Sequence, residues 1–234
     1  MMRCAPMVLG LAALAVAWGG ALPQLLGHSF TAHMTMHMMV VAVAAPLIAI
    51  AVAGSRHDPS AARPAWFAPV PAALVELVVV WSWHAPALHG FARGTVSGVV
   101  LEQFSFLVAG LLVWLSAFGG RANRRAAGII GLLLTSMHMT LLGALLGLGT
   151  RTLYPRMHHG DGALSLSPLA DQQVGGAIML LAGGSAYLIG GLVLMARLLR
   201  DDSAPAGRHA SAIAGRKAPT QASTDGRAPR GRSQ

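Results

Sequence analysis

Whatever chemistry this 234-residue chain can do rests on histidine and methionine: it has ten of the first and twelve of the second. They cluster. His33, Met34, Met36, His37, Met38 and Met39 lie within the run HMTMHMM at the mouth of a long apolar stretch, and Met137, His138 and Met139 sit inside another. An imidazole is costly inside a bilayer, so one that recurs in a span is a functional candidate. Imidazole and thioether without thiolate pairs suit copper. His33 and His37 are four residues apart, so a helix presents both rings on one face, the spacing used by two-histidine metal helices. The same pair could instead bond to water or lipid headgroups at an interface. Met34 and Met38 share a neighbouring stripe, where they serve either as apolar filler or as soft ligands for Cu(I).

The elements that position these residues are spans. Mean hydropathy is +0.58 and only 11% of residues are charged, less than half the share in a soluble domain. A span needs ~20 mostly apolar residues. Six stretches qualify, at about 6–22, 31–53, 66–84, 97–118, 126–149 and 173–198. The expected fold is an all-α, polytopic transmembrane bundle over residues 1–200, followed by a disordered basic tail over 201–234. The first stretch also resembles a signal peptide, and we read it as an uncleaved helix.

Arginine sets the orientation. Arg3, Arg56, Arg63, Arg121, Arg124, Arg125, Arg197 and Arg200 fall on one side of an alternating six-span chain, and the tail adds more. The other side receives only Arg93, Arg151 and Arg156. The positive-inside rule then puts both termini in the cytoplasm. The basic tail reads as an anchor or an anionic-lipid contact. No basic surface interleaved with aromatics exists for nucleic acid.

This topology gathers polar residues at the outer end. His28, His33, His37, His84, His89, His138, His158 and His159 lie on that side or on the way to it, joined by Glu102, Asp161 and Asp171. His138 lies ~16 Å below the outer end of its span, where it requires a polar contact: a metal, Glu102 or Glu76. Glu102 is a carboxylate within an apolar span, and could be protonated, paired with a histidine, or a ligand. Glu76 faces the same choice or makes an interhelical hydrogen bond. His84 ends a helix that Pro86 must stop or kink. His158, His159 and Asp161 read as a polar surface loop, with transient metal capture as the alternative.

Catalysis has no support. The chain lacks a P-loop, GxSxG and HExxH, has no dinucleotide fingerprint, and supplies no nucleophile with a base and an orienting group. Its one cysteine, Cys4, can form neither a CxxC pair nor a disulfide within a monomer.

Five stretches in order carry a family resemblance: HMTMHMMVVAVAAPL from His33, WSWHAPALHG from Trp81, EQFSF from Glu102, SMHMTLLGALLGLGTRTLYP from Ser136 and DQQVGG from Asp171. The chain resembles the multi-span CtaG-type cytochrome c oxidase assembly factors of Bacillus-like and actinobacterial lineages. The resemblance implies a non-enzymatic membrane protein that assists maturation of a haem–copper oxidase, by binding or relaying copper, Cu(I) being the expected form. It implies that His33, His37, His84, Glu102, His138 and Asp171 hold the functional positions, with Met34 and Met38 as further candidate ligands. Oxidase subunits, a copper donor protein and membrane lipid are the expected partners. The chain departs from the family pattern at Met36, His89 and Gln103: the first two add donors and the third removes one. Haem is not expected. The rival readings are a b-type haem electron carrier, with axial histidines from two spans, and a copper or proton transporter using Glu76, Glu102 and His138.

Overall fold

A computed structural model describes residues 3–20, 29–119, 124–154 and 166–216, with side chains as far as residue 201. Every regular element among these residues is helical. Helix α1 is Cys4–Trp18 and α2 is Phe30–Val52. A short turn of helix, α3, follows at Pro59–Ala62. Then come α4, Pro69–His84, α5, Pro86–Gly94, α6, Val96–Phe118, and α7, Arg125–Gly147. The last helix, α8, begins as Pro168–Ile178 and continues as Gly184–Arg216. Its apolar part is Pro168–Asp201.

Helix starts are written locally in the sequence. Ser29, Thr95 and Ser167 each turn a hydroxyl back onto a first-turn amide, of Ala32, Gly98 and Ala170. Such a cap satisfies a donor that the helix leaves unpaired. Pro69, Pro86 and Pro168 occupy first-turn positions, where a missing N–H costs nothing.

Among the described residues, four helices are long and apolar enough to cross a membrane: α2, α6, α7 and α8. The expected third span is different in form. Pro86 cannot continue α4, so Ala85 is extended and α5 leaves at a 72° bend, making a broken span or a re-entrant element. The expected first span is the shorter apolar helix α1, of 15 residues. The chain is thus a polytopic membrane bundle, with four to five spans by length and composition among the described residues. The contact pattern divides it at Leu198/Leu199, and the second unit is helical as far as Arg216.

Glycines let the backbones close. A Cβ on Gly143 would stand 2.6 Å from the Leu180 amide nitrogen, and one on Gly176 would stand 2.8 Å from the Gly143 carbonyl oxygen. Small residues on facing helices are the usual route to tight packing in lipid. Two π-helical turns, Met39–Ala44 in α2 and Met179–Gly183 in α8, interrupt the regular ladder. In the first, the Val41 carbonyl accepts from Trp114 Nε1 at 2.9 Å and from the Tyr187 hydroxyl at 3.4 Å. The turn therefore ties α2 to both α6 and α8.

Candidate metal centre

Three elements bring four imidazoles to one place. His33 and His37 lie one turn apart on α2, His84 is the last residue of α4, and His89 lies just past the bend on α5. The ring centres of His33 stand 4.8 Å from His89, 5.5 Å from His84 and 6.3 Å from His37. His37 and His84 are 5.3 Å apart. All four are buried.

From α6, Glu102 joins His33 and His89. Its Oε2 lies 3.6 Å from His33 Nδ1. One donor atom each from His33, His89 and Glu102 falls within 4.8 Å of the others. Three donors about 2.1 Å from one ion in a trigonal set stand about 3.6 Å apart, so no pair needs to close by more than about 1.2 Å. Glu102 Oε2 already accepts from the Arg93 guanidinium, and from Gln103 Nε2 at 3.3 Å. Arg93 lies one turn after His89 on α5, so one short helix presents both a donor and a competing cation.

Neighbouring groups fix the rings. His84 Nδ1 donates to the Val80 carbonyl at 2.6 Å. A carbonyl can only accept, so the lone pair of His84 is on Nε2, the nitrogen available to a metal. That atom is buried and makes no hydrogen bond among the described residues. Phe106, one turn after Glu102 on α6, stacks flat on His37 at 3.9 Å. Tyr154 stacks on Phe30 at 4.5 Å and donates its hydroxyl to the His84 carbonyl at 2.7 Å. Burial pushes the Tyr154 phenol above its ordinary pKa and keeps it a donor.

Across residues 1–201 the chain matches the family described as Cytochrome c oxidase caa3 assembly factor (Caa3_CtaG). The chain belongs to that family. No curated protein and no solved structure matches it. A member of this assembly-factor family is thus built around a buried, multi-helix histidine cluster.

The other residues singled out from the sequence have separate places in this family member. His138, on α7, is buried with neither ring nitrogen hydrogen-bonded among the described residues, and lies within electrostatic range of His37. Met34 and Met38 face α8. Each packs where a Cβ on an α8 glycine would come close, Met34 Cγ at 3.0 Å for Gly175 and Met38 Sδ at 3.2 Å for Gly183. Asp171 spends both carboxylate oxygens on the start of α2. Oδ2 accepts from the Phe30 amide at 2.6 Å and Oδ1 from the Thr31 amide at 2.9 Å. It thereby anchors the helix that carries His33 and sets a negative charge at its positive end. The two residues after it pin the 149–153 segment: Gln172 accepts from the Leu153 amide at 2.7 Å, and Gln173 donates to the Gly149 carbonyl at 3.2 Å. His28, His158, His159 and Asp161 lie outside the described residues. His57 is exposed beside Arg56.

Glu76 belongs to a different network. It is buried on α4 and accepts from the Tyr187 hydroxyl at 2.5 Å. The sequence marks His89 only as an added donor, outside the expected site, and Arg93 only as a charge on the outer side. Their four-residue spacing, in the stretch HGFAR, was the available signal, since it places both on one helix face.

Proposed function

We propose that this assembly factor holds copper for transfer to a haem–copper oxidase, as a carrier and not as a catalyst. What carries the reading is the convergence of His33, His89 and Glu102, donors from three elements, in a buried setting. The exchange is simple in charge. Copper arrives at Glu102, Arg93 withdraws toward water, and the buried carboxylate keeps a cationic partner throughout. Burying an unpaired carboxylate would be prohibitive, so ion and guanidinium alternate. Competition from Arg93 keeps affinity modest, as a relay requires. His37 and His84 Nε2, directly beneath, are the next donors along the bundle, with His138 beyond them.

Imidazole suits copper, and the sequence favours Cu(I). Met34 and Met38 pack toward α8, so the proposed donor set is nitrogen and oxygen. We place the cluster at the outer face of a bacterial inner membrane, with both termini cytoplasmic, on the arginine asymmetry. Oxidase subunits would receive the ion and a copper-binding donor protein would supply it.

The test is an anaerobic titration of the purified full chain with Cu(I), and a parallel one with Cu(II). Wild type is expected to bind one ion that a His33→Ala/His89→Ala variant loses. Equal stoichiometry in the two proteins sinks the site. A deletion strain assayed for oxidase activity should show a deficit that added copper relieves; full activity without the protein removes the role.

A further inference from the structure

At the opposite end of the bundle from the histidines, α2, α6 and α8 enclose a cleft of about 530 Å³. Its head is basic. Arg3, before α1, and Arg197, on α8, both line it, both are exposed, and no acidic side chain is among its lining residues. The Arg3 guanidinium lies beside Gly54, at the end of α2, where a Cβ would stand 3.8 Å away. Its body is apolar. Ile50 and Val193 form facing walls, and Trp114 forms part of the floor. The indole is fixed from behind by its bond to the Val41 carbonyl. It reaches the floor because Gly190 has no side chain: a Cβ there would stand 2.6 Å from the ring.

The lengths match half a bilayer. The lining runs from Ala42 on α2 to Ala53 just past its end, and from Ala186 to Arg197 on α8, a separation of eleven residues in each case. Eleven residues of helix rise ~16 Å, close to half of a ~30 Å hydrocarbon core. An apolar trough one leaflet deep, capped by two guanidinium groups, complements one class of molecule. We propose that this cleft binds an anionic phospholipid. The headgroup phosphate pairs with Arg3 and Arg197, and an acyl chain lies along Trp114 between α2 and α8. Guanidinium recognises phosphate through paired, charge-assisted hydrogen bonds. The inference is independent of copper.

Native mass spectrometry of the detergent-purified full chain tests it, with added phosphatidylglycerol or phosphatidylcholine. Wild type is expected to retain phosphatidylglycerol and to be thermally stabilised by it, and not by phosphatidylcholine. The Arg3→Gln/Arg197→Gln variant should bind phosphatidylglycerol about 30-fold more weakly, on the ordinary contribution of a basic residue at an anionic membrane surface. Val193→Trp, which fills the trough and keeps both charges, should lose the lipid as well. Equal retention by the double variant, or equal stabilisation by the two lipids, overturns the proposal. So does a photo-crosslinker at Ile50 that, in native membranes, captures a protein helix in place of lipid.

Discussion

The Arg93 guanidinium sits on the same Glu102 oxygen that faces His33 Nδ1 at 3.6 Å. On our reading, an incoming ion must displace it. Arg93→Gln is therefore expected to tighten copper binding by at least about tenfold, or ~1.4 kcal/mol, and to slow release to a chelator. Competition titrations against a chromophoric chelator measure both. Unchanged affinity would mean that the ion does not use Glu102.

His89 is the donor added by the structure. His89→Ala should weaken copper binding more than about 100-fold, beyond the 10–100-fold typical of a residue that merely supports a ligand. His57→Ala, on an exposed residue beside Arg56, is the control and should leave binding unchanged. Equal affinities in the two variants would remove His89 from the ligand set.

Asp171 separates anchoring from ligation. Asp171→Ala strips two amide bonds from the start of α2, and a lost cap costs about 0.5–2 kcal/mol. Thermal unfolding in detergent should show that loss while copper stoichiometry stays the same. A variant of unchanged stability that binds one ion fewer would make Asp171 a ligand instead.

Gly176 sets how close α7 and α8 approach. Gly176→Val forces a side chain into the Gly143 carbonyl, an overpacking cost of about 1–3 kcal/mol or more. The expected result is a lower melting temperature and poor yield. Normal stability would show that the two helices can separate without loss.

Tyr187 and Glu76 form a buried pair. Tyr187→Phe removes one donor from the carboxyl and should cost about 1–3 kcal/mol. Glu76→Gln should restore much of that loss, since an amide brings its own donors. A double-mutant cycle reads the coupling, and strict additivity of the two changes would show that the bond carries no weight.

Much of this was legible in the sequence, for identifiable reasons. Unbroken apolar runs of about 20 residues mark spans without any knowledge of packing, so α2, α6 and α7 start and end near where hydropathy puts them. Pro86 announced an end or a kink, but not its angle, because the direction taken by α5 depends on what it packs against. The pairing of His33 with His37 followed from helical spacing, and their meeting with His84 and Glu102 from which end of each span they occupy. What stayed hidden was rotation about the helix axis. Apolar residues surround these helices, so periodicity could not tell that Met34 and Met38 turn toward α8. Nor could spacing show that Asp171, 140 residues after Thr31 in the chain, caps the helix that begins at Phe30. Arg93 was counted for topology only, and its partner became visible only once α5 was folded beside α6.

The π-turn at Met39–Ala44 makes α2 two helices of different azimuth on one axis. Each residue of an α-helix advances by about 100°, so a single extra residue in a wide turn rephases everything beyond it. His33 and His37, above the turn, are thereby set independently of Pro46 and Ile50 below it, and the donor end can keep its aim while the basic end keeps a separate one. One inserted residue thus uncouples the two ends of a single membrane helix.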